Sequence, residues 1–119
     1  MLIKQILLVG VGGAAGSILR FLTSVLIVRS EPFPFPLATF TVNILGCFCI
    51  GLFINLIPSN NLRFLLITGF CGGFTTFSTF ASETLTLIND NQTLLAIVYT
   101  LLSCVIGIGA VWLGMTLTK

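Results

Sequence analysis

Eleven residues in the middle of the chain, GGFTTFSTFAS at positions 72–82, gather two adjacent glycines, five hydroxyl side chains and three phenylalanines. Phe77 and Phe80 stand three apart, so a helix would set both rings on one face. An aromatic ring is negative over its face and positive around its edge. Two edges turned toward a narrow path would attract an anion while offering a cation nothing. Ser78 and Thr79 place hydroxyl donors beside them, and Tyr99, Thr100 and Ser103 supply more on a later segment. A helix beginning just after the glycines would add its N-terminal amides, a partial positive charge pointing the same way. The plainer reading of such an aromatic pair is packing, and it stands beside the anion reading. Carbonyls freed by a break would also suit a hard cation such as sodium, a generic feature of any broken helix.

Three further side chains are costly where they sit. Asn43 lies inside an apolar run between Val42 and Ile44, so its amide needs a partner or a ligand. Bonding between helices is one answer and a place on an ion path the other. Glu83 is the one acid within the apolar segments, close enough to a segment end to reach an aqueous vestibule. Arg20 can do likewise by snorkelling, which accounts for it without any function. Catalysis is excluded on composition: there is no histidine, no nucleophile paired with a base and no metal cluster.

The elements that must hold these groups follow from hydropathy. Of 119 residues, 56% are hydrophobic and 7% charged, with a mean hydropathy of +1.17. A soluble domain carries about a quarter charged residues, so the class is an integral membrane protein in a lipid bilayer. Five basic residues against three acidic, widely scattered, give no patch for nucleic acid. Cys47, Cys49, Cys71 and Cys104 lie in apolar runs without CxxC spacing and read as small buried hydrophobes. Charges and turn residues leave four apolar spans, at about 5–28, 37–57, 62–88 and 94–117, in a single channel-like domain covering 1–119. The first begins like a signal peptide, but its apolar run is too long for one, and it reads as a retained helix. Its GVGGAAG cluster has no preceding strand and is no nucleotide loop. Pro32, Pro34 and Pro36 predict an extended linker after it.

The third span is too long. Its 62–88 stretch would make a rod of roughly 40 Å against a hydrocarbon core of about 30 Å. Gly69, Gly72, Gly73, Thr75 and Thr76 are poor helix formers, so a helix broken at 72–76 explains both length and composition. Irregular backbone at membrane depth must face protein or a wet cavity. Four helices enclose little by themselves, so self-association is expected. Gly12 with Gly16, and Gly107 with Ala110 and Gly114, offer small faces for close helix contacts. Lys4, Arg63 and Lys119 fall on one side and Arg20 and Arg29 on the other. That split fits either a weak N-in preference or insertion both ways as an antiparallel dimer, and leans to the second.

Taken together, GGFTTFSTF (72–80), Asn43 within TFTVNILGCFCIG (39–51) and GAAGSILR (13–20) strongly resemble the Fluc fluoride channels, also called CrcB, along essentially the whole chain. The resemblance implies an all-α fold with the third of four transmembrane helices broken mid-membrane, in an antiparallel dual-topology homodimer. It implies two fluoride pores, each built from both subunits, exporting fluoride passively from a microbial cytoplasm through the inner cell membrane. By motif, Phe77 and Phe80 would be the pore phenylalanines and Asn43 an amide donor to the same path. Ser78, Thr79 and Ser103 would form a hydroxyl track that Tyr99 borders. Gly72 and Thr75 would lend backbone carbonyls to a structural sodium ion at the dimer centre. Glu83 would stand near a pore mouth, and Arg20 in a vestibule that draws anions inward. One departure is Gly107, a turn beyond Ser103, where some relatives place a hydroxyl.

Two other classes stay on the table. A small proton-coupled multidrug exporter also has four short spans, but its working acid belongs deep in a helix, and Glu83 is too near an end. A non-transporting membrane subunit would use the same polar groups only to join helices. The NQT sequon at 91–93 matches a glycosylation acceptor, a motif short enough to recur by chance.

Overall fold

A computed structural model describes residues 1–30 and 35–119. Residues 31–34, and with them most of the expected proline-rich linker, lie outside the described residues. The described chain is helical: α1 (Leu2–Ser30), α2 (Leu37–Leu56), α3 (Asn60–Arg63), a π-helical stretch (Phe64–Cys71), α4 (Gly72–Phe74), α5 (Phe77–Asn89) and α6 (Thr93–Leu117). Four stretches, Leu2–Ile27, Leu37–Leu56, Asn60–Asn89 and Thr93–Leu117, are long and apolar enough to cross a membrane. Less than a quarter of the most apolar part of each is buried within the chain. The outward faces carry Phe21, Leu26, Ile108 and Trp112 instead of charges. A helix apolar all round is stable only against lipid or other protein.

The third stretch is not one helix. Thr75 (φ −91°, ψ 159°) and Thr76 (φ −150°, ψ 121°) are extended, ending α4 and separating it from α5. Upstream of them, eight residues are wound as π-helix, a form seldom longer than one turn and frequent at functional sites. Alpha-helix α1 lies along this stretch, and glycines decide how closely. A Cβ at Gly12 would run into the Leu65 carbonyl, and one at Gly16 into the Phe70 carbonyl. From the other side, a Cβ at Gly69 would stand 2.8 Å from the Val9 carbonyl oxygen. Backbone therefore meets backbone, which only small residues permit. Gly16→Leu is expected to wedge α1 away at a cost of about 1–3 kcal/mol or more. A lowered melting temperature in detergent checks it; an unchanged one would mean that α1 packs elsewhere.

The remaining ties are at helix ends. Arg63 donates through Nη2 to the Ile54 carbonyl (2.7 Å) and through Nε to that of Ile57 (2.8 Å). It thereby closes the C-terminus of α2, where carbonyls lack helical partners. Asn55 donates to the Met115 carbonyl at 2.9 Å, joining the ends of α2 and α6. Along the same pair, a Cβ at Gly114 would come within 2.6 Å of the Phe48 carbonyl oxygen. The tight turn from α5 to α6 rests on Asn91 at φ 63°, a left-handed conformation that asparagine tolerates. Leu87, Ala96 and Tyr99 are buried there beneath Phe35, Phe40, Phe80 and Leu95, forming a small core at that end.

Candidate functional site

The interruption after α4 strands backbone groups, and the side chains around it are placed to meet them. The Thr76 N–H donates to Asn43 Oδ1 at 2.8 Å, and Asn43 Nδ2 donates back to the Thr76 carbonyl at 3.1 Å. One amide side chain on α2 thus takes the place of a neighbouring strand. Thr76 also caps α5, its Oγ1 accepting from the Thr79 N–H at 3.3 Å, the bond expected of an N-cap threonine. Thr76 Oγ1 donates in turn to Thr79 Oγ1 at 3.1 Å. Arg20 reaches from α1 and donates through Nε to the Gly73 carbonyl at 3.1 Å.

The break takes helical donors from the carbonyls that precede it, Gly72 and Thr75 among them. In a continuous helix the Gly72 oxygen would accept from the Thr76 N–H and the Thr75 oxygen from the Thr79 N–H. Both amides are turned elsewhere, to Asn43 and to the Thr76 hydroxyl. Gly72 and Thr75 therefore present oxygens deprived of those helical donors, a donor set of the kind hard cations take. Among the described residues no group of three or more His, Cys, Asp or Glu side chains is placed to hold a metal.

Beside the break lies a cavity of about 500 Å³. Of the residues expected on the ion path or at the sodium site, Asn43, Gly72, Thr75, Phe77, Phe80 and Ser103 line it. Ser103 Oγ is buried and has no hydrogen-bond partner, an unmade bond that costs about 1–3 kcal/mol unless a ligand or water supplies it. The Phe77 and Phe80 ring centroids are 5.8 Å apart at 43°. Phe77, the first residue of α5, is 79% exposed, so its ring packs on little of its own chain. Among the described residues no charged side chain lines this cavity; its polarity comes from an amide, hydroxyls and the N-terminal end of α5.

The other expected residues stand elsewhere. Ser78 is exposed, with its hydroxyl 3.5 Å from that of Thr76. Thr79 is turned into the α5 cap. Tyr99, expected to border the hydroxyl track, is instead fully buried behind Phe80, at a ring separation of 4.9 Å. A buried phenol needs an acceptor, and Tyr99 finds Glu83 Oε1 at 3.0 Å. Glu83 accepts a second bond at Oε2 from Thr39 Oγ1 at 2.9 Å, joining α2, α5 and α6. It also lines a second cleft of about 360 Å³ with Thr86, Asp90 and Gln92. Gly107 is buried against α2, where a Cβ would meet Cys47 Sγ at 3.6 Å, an ordinary contact. Sequence reasoning missed Thr39, read Thr76 only as a poor helix former, and took the cavity cysteines Cys47, Cys71 and Cys104 for small buried hydrophobes. Two signals were available: Thr76 stands three residues before Thr79, at cap spacing, and Cys47 stands one turn after Asn43.

Four apolar helical stretches, the third interrupted beside a donor-bearing cavity, define a multi-pass membrane protein. Comparison with known proteins narrows that class: the family described as "CrcB-like protein, Camphor Resistance (CrcB)" matches residues 7–115, and the chain belongs to it. A protein of Flavobacterium psychrophilum is 44% identical over 121 residues, covering 98% of each chain. One of Azobacteroides pseudotrichonymphae is 46% identical over 123 residues, covering 99% of this chain and 98% of its own. One of Gloeothece citriformis is 47% identical over 119 residues, covering 97% of each. All three are named "Fluoride-specific ion channel FluC".

Proposed function

We propose that the chain is a fluoride-selective ion channel that lets fluoride leave the cell passively through the inner cell membrane. It works as an antiparallel, dual-topology homodimer with two pores. The observation that carries the reading is the meeting of Asn43, Phe77, Phe80 and Ser103 at one cavity beside the helix break. The full-length match to relatives named as fluoride-specific channels supports it. Fluoride is small and holds its water tightly, so a path must replace that water with good donors. The Ser103 hydroxyl, the Asn43 amide and the edges of two aromatic rings do so without a full positive charge that would trap the ion. Conduction requires binding weak enough for exit. Ser78 and Thr79 extend the hydroxyl donors toward the mouth, and Tyr99 backs the Phe80 ring. Arg20 and Glu83 belong to the vestibules, Arg20 drawing anions inward.

In this reading the break lies at mid-membrane, since Thr75 and Thr76 fall midway along Asn60–Asn89. The exposed Phe77 ring and the open side of the cavity call for a second copy to complete the wall. The Gly72 and Thr75 carbonyls from two antiparallel copies would hold a structural sodium ion where the breaks meet. When bound, that ion supplies a fixed positive charge and ties the two breaks together. No bond is made or broken in such transport, so the protein is not an enzyme.

Vesicles containing the purified protein and loaded with both halides test the reading. Fluoride is expected to escape rapidly while chloride release stays at the level of protein-free vesicles. Comparable release of both would end the claim of selectivity.

A further inference from the structure

Three of the four cysteines face one space. Cys47, Cys71 and Cys104 line the cavity beside the break, whereas Cys49 does not. They come from different elements: Cys47 from α2, Cys71 from the end of the π-helical stretch, Cys104 from α6. All are free thiols, with Cys71 buried, Cys47 half-buried and Cys104 exposed. The rest of the lining is uncharged: Ile50, Ile67, glycines and the two phenylalanine rings stand beside the amide and hydroxyls of Asn43, Ser103 and three threonines. Nothing in it repels a neutral, polarizable molecule. Cys47 follows Asn43 by one helical turn, and Cys104 adjoins Ser103. Thiols thus stand beside both of the neutral donors that the channel reading needs. Among the described residues no group of three or more such side chains is placed to hold a metal, so capture is by one sulfur or a pair.

We infer that this cavity is a thiol-modification site for small, neutral, soft electrophiles, and that occupying it stops conduction. The second half rests on the channel reading. Mercuric chloride is a suitable probe, because soft thiol ligands select soft metals. A cysteine S–H is exchanged for S–Hg, one chloride leaves mercury, and the proton passes to buffer with it; no electrons change hands. The S–Hg–Cl adduct keeps mercury's second chloride. Its bulk stands beside Asn43 or Ser103 and obstructs the path. A dithiol reductant reverses the bond by competing for the metal. Access orders the sites, Cys104 first, then Cys47, with Cys71 last.

The experiment treats the reconstituted full chain with mercuric chloride and reads two things. Peptide mapping by mass spectrometry locates the adducts, and fluoride release is compared with the same vesicles before treatment. Adducts at Cys104 and Cys47, with release falling by roughly tenfold or more and restored by dithiol, are the expected result. A chain carrying Cys47→Ala, Cys71→Ala and Cys104→Ala, with Cys49 kept, is expected to hold its own untreated rate under the same dose. Absence of adducts at the cavity cysteines would overturn the site. Adducts there with unchanged release would overturn the block. Untreated vesicles that release no fluoride would instead bring down the channel reading, while the adduct map still decides the thiol site. The wild-type map needs no variant to fold.

Discussion

Replacing Phe80 by isoleucine is expected to slow fluoride release by about tenfold or more, a loss of at least ~1.4 kcal/mol of ion stabilisation along the path. Isoleucine keeps a large apolar side chain but has no positive ring edge, so what disappears is the electrostatic attraction. Phe80 also packs on Tyr99 at 4.9 Å, and losing that pair costs about 0.5–1.5 kcal/mol of stability. Flux must therefore be counted per folded protein. Phe77→Ile separates the two effects more cleanly. That ring is 79% exposed within its own chain, so the chain's own packing changes little while release is expected to fall in the same way. Phe70 provides the control, stacked on Phe74 at 5.7 Å and 7° and absent from the cavity wall. Phe70→Ile is expected to lower the melting temperature and leave release per folded protein unchanged. Undiminished release in both Phe77→Ile and Phe80→Ile would remove the rings from the path.

The backing of Phe80 shows why the carboxylate matters to the choice among transport mechanisms. Glu83 is held by hydroxyls of Thr39 and Tyr99 from two other helices. A proton-coupled drug carrier would need its acid open to a cavity large enough for the drug. Here Glu83 lines the smaller cleft, and among the described residues no acid lines the larger cavity. Its two bonds fix Tyr99, and Tyr99 fixes the back of the Phe80 ring.

The sequence by itself shows whatever depends on length, period and cost. Four apolar runs are visible because a bilayer sets a minimum length. The third was visibly too long and rich in glycine and threonine, and its helix does stop at Thr75 and resume at Phe77. Asn43 stood out because an amide among aliphatics must bond to something. Its partner, the Thr76 backbone, is contributed by a segment 33 residues away, and no local pattern encodes that. The π-helical winding of Phe64–Cys71 has no signature in FLLITGFC, which reads as any apolar helix. Gly12 and Gly16 announced a close approach but not its object, which is the backbone of the same chain. Arg63 was counted as a topology charge, yet its guanidinium is spent on the end of α2. Charge counting sees the sign of a side chain and not its hydrogen bonds.

Asn43 separates the two uses of a polar group in a membrane, joining helices and meeting an ion. Asn43→Ala leaves the Thr76 N–H and carbonyl without partners, at about 1–3 kcal/mol for each group left unsatisfied. That variant is expected to fold poorly, and lost flux alone would say little. Asn43→Asp is more telling. A carboxylate still accepts from the Thr76 N–H, so one of the two bonds survives and the fold is expected to survive with it. It cannot donate, and at roughly 5 Å it would repel fluoride by about 3 kcal/mol at an effective dielectric of about 20. That repulsion corresponds to about two decades in rate, larger than the effect expected at either ring. The measurement pairs thermal melting in detergent with fluoride release from vesicles. If Asn43 only joins α2 to the break, Asn43→Asp should melt above Asn43→Ala and conduct like the parent chain. If its amide meets the ion, the same variant should melt above Asn43→Ala and pass almost nothing.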